Sequence, residues 1–400
     1  MKVVVVVVLF YFTSLITISQ NSSFKIGKGV NYTSKDSLFS CNLQFRMQNR
    51  LSYESIALDD LTPQTFEFRV RRLRLSLRGF LYNPKWKYRI QLSFSRGDMD
   101  WDMNKSSKYN TSVNVVRDAI VSYAFTPNFE VTFGQTKLPG NRQRVISSGN
   151  QQFFDRSIVN ATFTIDRDFG VFFNWSKNYF KLKGAITSGE GRNSNSSNKG
   201  LSYTGRIEVL PFGSFTGEND YSEGDLEREQ KPKLSIAGTY NYNALAVRNG
   251  GQLGEDLFSA RNIHNVHGDI LFKFKGFALY NETCLRLAEN PITYSSDTSH
   301  FSTVQNGYGN LTQISYLFKK NWEIAFRYAF VQPYSSIYFD SNFTSVNFKK
   351  QEQFLLGVSR YLAGHRLKYQ INAGINSTYD YQKAEKLNKL LLVFQVELGI

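Results

Sequence analysis

Between residues 66 and 78 the chain reads Phe-Glu-Phe-Arg-Val-Arg-Arg-Leu-Arg-Leu-Ser-Leu-Arg, with five arginines in ten positions. A guanidinium keeps its charge at every relevant pH and offers paired donors that match the oxygens of phosphate or carboxylate. A second group lies in the stretch 139–167, PGNRQRVISSGNQQFFDRSIVNATFTIDR, where Arg142, Arg144, Arg156 and Arg167 stand against Asp155 and Asp166. Arg142 and Arg144 read as anion contacts. Arg156 and Arg167 have aspartates beside them and read more readily as partners of those acids, holding the stretch in shape. With Lys181 and Lys183 the candidate anion-binding or pore-lining residues are Arg72, Arg74, Arg78, Arg142, Arg144, Arg156, Arg167, Lys181 and Lys183.

Nothing in the chain points to covalent catalysis. It has no Gly-x-Ser-x-Gly elbow, no glycine-rich phosphate cradle and no zinc ligand set. His264 and His267 are three apart, a spacing that on a strand sends them to opposite faces, so with Asp269 they do not make a metal site. Cys41 and Cys284 are too distant in sequence to suggest a disulfide framework. No enzyme activity, metal or cofactor is therefore expected. The excess of 48 Lys and Arg over 33 Asp and Glu, a net +15, gives a positive field directed at something anionic.

The elements that must position these residues are strands. In 400 residues there are 34 Phe, 23 Tyr and 4 Trp with 20% charged residues, which excludes a disordered chain. Mean hydropathy is −0.36, and past the N-terminus no run is apolar enough for a spanning helix, which excludes a polytopic helical membrane protein. Instead apolar residues recur at every second position. Trp86, Tyr88, Ile90, Leu92 and Phe94 alternate with Lys87, Arg89, Gln91 and Ser93; Trp322, Ile324, Phe326, Tyr328 and Phe330 do the same late in the chain. Sixteen such segments are expected, at 43–53, 66–81, 86–96, 113–125, 129–138, 168–176, 179–187, 201–210, 233–243, 263–275, 277–288, 305–318, 322–332, 352–361, 366–376 and 389–400.

These lengths suit tilted strands across a bilayer, and tight turns such as Lys177-Asn178 and Lys275-Gly276 alternate with connections expected to run from ten to nearly thirty residues. That pattern predicts a 16-stranded antiparallel transmembrane β-barrel with short periplasmic turns and long external loops. A soluble β-sandwich has no reason to alternate short and long connections along the whole chain. The third external loop, 139–167, is the longest and is expected to fold into the lumen as a constriction. The connection 211–232 breaks the rule, being long at a periplasmic position; it is either an extended inner loop or a miscounted pair of strands. Residues 1–19 have the basic start, apolar core and small-x-small triplet of a secretory signal, followed by a periplasmic segment 20–42 and the barrel 43–400.

In such a barrel the apolar set faces lipid and the polar set lines the lumen. Over 66–78 the apolar phase slips by one at Arg71-Arg72, and a regular strand would turn one set of arginines into lipid at about 2–4 kcal/mol each near the midplane. Either a β-bulge at Arg71-Arg72 restores them to the lumen, or 66–70 already lies above the membrane. Arg46, Arg50, Lys87, Arg89, Arg206, Lys273, Arg327, Arg366 and Lys368 share the wet face with fewer acids, namely Glu130, Glu208, Asp269, Glu282, Glu323 and Glu397.

Arg71-Arg72-Leu73-Arg74, Arg117-Asp118-Ala119-Ile120-Val121-Ser122-Tyr123, Gly134-Gln135-Thr136-Lys137-Leu138-Pro139, Phe154-Asp155-Arg156-Ser157, Arg167-Asp168-Phe169-Gly170 and Lys231-Pro232-Lys233-Leu234 resemble, in this order, the phosphate-selective porin O and P family of Bacteroidetes-type outer membranes. The resemblance covers most of the chain. It implies a sixteen-stranded barrel, a homotrimer, and passive diffusion of phosphate or related inorganic or organic anions through an arginine-lined constriction in the bacterial outer membrane. Outer-membrane lipid is then a partner and nucleic acid is not. After the Gly-Gln-x-Lys-x-Pro signature the family tends to carry Phe and then Glu, where this chain has Gly140 and Gln143, which alters how the loop docks. A barrel receptor with a closed lumen is the rival reading, and an outer-membrane hydrolase a remote third.

Overall fold

The computed structural model describes residues 22–95, 98, 108, 114–334, 349–381 and 383–400, so the proposed signal 1–19 lies outside the described residues. Sixteen strands form the wall. They are β1 (Phe39–Ser55), β2 (Pro63–Leu81), β3 (Asn83–Ser93), β4 (Val116–Thr126), β5 (Phe129–Lys137), β6 (Arg167–Lys177), β7 (Phe180–Thr187) and β8 (Ser202–Val209). They continue as β9 (Lys233–Arg248), β10 (Asp256–Phe274), β11 (Phe277–Ala288), β12 (Gly307–Leu317), β13 (Trp322–Pro333), β14 (Lys350–Tyr361), β15 (Leu367–Asp380) and β16 (Glu385–Gly399). Each pairs antiparallel with the next. The cylinder closes where β16 pairs with β1, from Leu391 opposite Glu54 to Gly399 opposite Arg46.

The period-2 pattern decides which way each side chain points. Along β11, Tyr280, Glu282, Cys284 and Arg286 face inward and are buried, whereas Leu279 and Leu287 face out. Ile270, Phe326 and Phe394 are each more than 40% exposed on the outer wall, as side chains facing lipid must be in a closed barrel. The tight turns gather at one end with both barrel termini. Lys275 (φ 49°) and Gly276 (φ 91°) form the two-residue turn with both central residues left-handed that matches the twist of a hairpin.

The strand number is as expected, but several strands are longer. β2 and β10 have 19 residues and β1 has 17, so the connections 56–62, 249–255 and 381–384 are shorter than the ten-residue minimum expected for external loops. Above the bilayer both faces of a strand meet water. Alternation then disappears from the sequence although the backbone ladder continues.

The phase slip in β2 is a bulge. Gln48 pairs with Arg72 and Asn49 with Val70, leaving Arg71 as the inserted residue. Phe66, Phe68 and Val70 consequently stay on the outside while Arg71 and Arg72 both reach inward to Asp155. Ahead of the barrel, strands Ser22–Lys25 and Gly29–Thr33 form a hairpin whose second strand pairs with residues 40–43 of β1. Residues 211–232 carry no strand; they are one connection containing a 3₁₀ turn, Thr216–Tyr221.

Candidate functional site

The segment between β5 and β6 enters the lumen. It carries two short helices, α1 (Arg142–Val145) and α2 (Ile158–Phe163), the second started by Ser157, whose hydroxyl accepts the Asn160 N–H at 3.2 Å. The segment docks through apolar residues set into an otherwise polar interior. Val159 and Phe163 pack with Leu271, Tyr280, Leu311, Ala329 and Val331 of β10 to β13. Phe153 packs with Ala325, Leu355, Leu391 and Val393, and the Arg327 guanidinium lies 4.2 Å from its ring centroid. Each fully buried Phe or Val contributes about 1.5–3 kcal/mol. These contacts hold the segment against the β10 to β16 side.

Ionic ties complete the docking. Arg142, with no exposed surface, donates to Asp269 of β10, to the Asp220 carbonyl at 2.9 Å and to Ser235 Oγ of β9 at 2.7 Å. Asp155 receives Arg50 at 2.8 Å, Arg71 at 3.1 Å and Arg72 at 2.8 Å. Burial alone would raise the Asp155 carboxyl, but Arg72, Arg50 and Arg71 outweigh it and hold it well below the usual carboxylate range. Arg74 and Arg117 pair with Asp98, Arg144 pairs with Asp166, and Arg167 reaches Asp118 at 2.7 Å. Arg156 donates to the carbonyls of Gln143 and Ile146, each at 2.8 Å. Lys368 of β15 donates to the Gly149 and Gln151 carbonyls.

The connection 211–232 enters the barrel from the end of the tight turns and meets the first segment inside. The Glu223 N–H donates to the Asn150 carbonyl at 2.8 Å, and the Glu223 carboxylate accepts the Gln152 N–H at 2.9 Å. Lys273 of β10 donates to the Asn219 and Ser222 carbonyls at 2.6 and 2.9 Å. Asp220 pairs with Lys181 at 2.5 Å. The Tyr221 hydroxyl joins Glu208 and Lys183, and the Lys183 ammonium lies 4.2 Å from the Tyr221 ring centroid.

A cavity of about 900 Å³ lies mainly along β3 to β7 and reaches across to Leu317, Tyr361 and His365 near the tight-turn end. Arg74, Arg89, Lys137, Arg167, Lys181 and Lys183 line it together with Asp118, Glu218 and Glu227, six cations against three acids. The Arg89 side chain is 43% exposed and those of Lys181 and Lys183 are 17% and 20% exposed, so water reaches all three. The Lys137 ammonium donates to the Val145 carbonyl at 2.8 Å, tying the inward segment to the wall beside this space.

The candidate residues thus fall into two groups. Lys181, Lys183, Arg74 and Arg167 border the cavity, whereas Arg72 and Arg142 are enclosed by docking contacts. Arg78 lies nearer the tight-turn end, bonded to Asn42 at 3.1 Å. Arg144 and Arg156 are half-buried within the inward segment. Sequence reasoning did not anticipate Asp98 or Asp220 as partners, because nothing local links them to arginines and lysines 24 and 39 positions away. Lys137 was within reach, since it lies in the quoted Gly-Gln-Thr-Lys-Leu-Pro motif.

The model of the family described as phosphate-selective porin O and P matches residues 42–248. An uncharacterized protein of Aquifex aeolicus is 26% identical over 123 residues, 29% of this chain and 30% of that one, so the chain matches under a third of that relative's length. The outer membrane channel DcaP of Acinetobacter baumannii superposes with a TM-score of 0.58 at 13% identity, over 93% of this chain and 100% of that one. An anion-selective porin from Comamonas acidovorans gives 0.54 at 12% identity, over 90% and 100%. At such identities the likeness is one of fold.

Proposed function

The chain belongs to the phosphate-selective porin O and P family, whose place is the bacterial outer membrane, and from that premise we propose a porin that passes small anions by passive diffusion. The solutes are phosphate or related inorganic or organic anions. The observation that carries this reading is the cavity along β3 to β7, with its six cations against three acids. Cations lining a pore attract anions, repel cations and replace lost hydration when they stand at contact distance. Arg89, Lys181 and Lys183 are the groups we assign to the passing anion, because they are charged and reached by water. Arg89, Lys181 and Lys183 each already have an acidic partner, Asp118, Asp220 and Glu208, which weakens their hold on a transient anion. Several weak sites in series let a solute leave as well as enter.

Arg72, Arg74, Arg142, Arg144, Arg156 and Arg167 act mainly through the inward segment, whose position they fix. Arg78 acts at the periplasmic rim. No chemical step is assigned to the chain, which acts as a channel and not as an enzyme. Residues 1–19 serve as its export signal, and the working unit is a homotrimer in outer-membrane lipid.

Purified protein in planar bilayers tests the reading. The expected result is an open-channel current whose reversal potential under a salt gradient is directed toward the anion. One observation favours the rival, a receptor with a closed lumen: two segments entering from opposite ends meet at Glu223 and Asn150. Absence of conductance in correctly folded protein would decide for that rival.

A further inference from the structure

The last outward residue of β14 is an arginine. Along that strand Phe354, Leu356, Val358 and Arg360 face out, while Leu355, Gly357 and Ser359 between them face the lumen. Arg360 stands opposite Trp322 of β13 and Tyr369 of β15, so the three side chains make one outward row beside the tight turns. Trp322 is 43% exposed, as a ring facing lipid must be. The Arg360 guanidinium lies 5.5 Å from the Trp322 ring centroid, within reach of a cation–π contact. Its Nη1 is covered by its neighbours and meets no acceptor, and no carboxylate among the described residues pairs with the group. The ring thus holds a cation on the lipid side without supplying its counter-charge.

The surroundings add charge of the same sign. The turn ahead of Trp322 carries Lys319 and Lys320, both exposed. The Tyr361 N–H donates to the Asn321 carbonyl at 3.0 Å, which joins this turn to the end of β14. The neighbouring hairpin repeats the pairing of outward ring and cation, with the Lys275 ammonium 5.1 Å from the Phe274 ring centroid. Aromatic rings gather where hydrocarbon gives way to headgroups. A long basic side chain beside such a ring lays its stem on the apolar wall and carries its charge to the phosphate level.

We propose that the outward face of β13 to β15, at the tight-turn end, binds the phosphate of an anionic phospholipid of the inner leaflet. Arg360 offers paired donors to two phosphate oxygens, and Lys319 and Lys320 add charge from the turn. Trp322 and Tyr369 lie along the upper part of the acyl chains. A headgroup that carries its own ammonium already neutralises its phosphate, so this site favours one that does not. The inference rests on the barrel's place in the outer membrane and stands whether or not the lumen conducts.

The test uses the full chain extracted from the outer membrane in mild detergent. Phosphatidylglycerol and phosphatidylcholine with the same acyl chains are offered in equal amounts, and retained lipid is read by native mass spectrometry. The native chain should keep phosphatidylglycerol in preference. Arg360→Gln should lower that preference about fivefold, the factor that one charge near a headgroup surface contributes. Arg360→Gln with Lys319→Gln and Lys320→Gln should abolish it, with β-sheet circular dichroism retained. Equal retention of the two lipids by the native chain overturns the proposal, as does a preference that survives the triple substitution. So does displacement of phosphatidylglycerol by inorganic phosphate, which would make this a site for the free anion. An oligomer that dissociates in Arg360→Gln while lipid retention is unchanged would give the guanidinium an acid of another copy, and likewise overturns it. Should the glutamine variants fail to form a barrel, Arg360→Lys decides: the charge stays and the paired donors go, so the preference should fall, and an unchanged one counts against the site.

Discussion

Arg142 joins three parts of the molecule through one guanidinium: the inward segment, β9 and β10 of the wall, and the connection 211–232. Replacing it with alanine leaves Asp269 and Glu208 buried with a cation removed, and losing one partner of a buried pair costs about 3–5 kcal/mol. Arg142→Ala should therefore loosen the segment, raising single-channel conductance and lowering the thermal midpoint of the detergent-solubilised barrel. Lys181→Ala with Lys183→Ala should act chiefly on selectivity, moving the reversal potential toward the cation; the thermal midpoint should also fall, because Lys181 and Lys183 pair with the buried Asp220 and Glu208. One charge at contact distance in water is worth about 1 kcal/mol, roughly fivefold in local anion concentration, before salt screening. Asp155 supplies a pH test. Its carboxyl is held below the usual range, so its contribution is complete above the unfolded value of about 3.9 and is lost only as pH falls through the lower folded value. The readout is the difference in conductance between the native chain and Asp155→Asn: a difference that holds from pH 7 down to pH 4 agrees, and one that vanishes near pH 5 does not. The wet face of these residues was legible, because alternation alone turns Arg46, Lys181, Arg206 and Lys368 inward. Their partners were not, since Asp98, Asp155 and Asp220 come from segments whose paths no local pattern fixes.

Two elements that are not strands occupy the lumen. The inward segment is anchored by Val159, Phe163 and Phe153, and apolar side chains in a loop beside inward-facing Leu271, Leu311 and Val331 are the sequence signal of its docking. The connection 211–232 is anchored by Lys273, Lys181 and Arg142. Replacing 213–230 by a two-residue glycine-containing turn should increase single-channel conductance several-fold and weaken anion preference, measured in planar bilayers. An unchanged current would mean that the connection does not border the path. The sequence marks this segment as long and on the wrong side for a long loop, but only its contacts explain the length: it must reach Asn150, well inside the barrel. Strand ends were less legible than strand centres. The outer turns of β1, β2 and β10 stand in water on both faces, where selection for alternation lapses.

At the scale of the whole molecule the lumen is asymmetric, packed with protein toward β10 to β16 and open along β3 to β7. A reversal-potential series with phosphate, sulfate, chloride and a small organic acid should rank these solutes by how well paired donors hold them. A series that follows only ionic mobility would reduce the wall to a general positive field. The seam has a consequence for assembly. Residues 46–54 of β1 bond to β16, while residues 40–43 are already covered by the N-terminal hairpin. Until the last strand arrives, nine consecutive backbone positions on the first strand have no neighbour on that edge, and the oily phase cannot solvate them. Closure of the seam must then accompany insertion, because an open edge left in hydrocarbon would keep these backbone groups without partners.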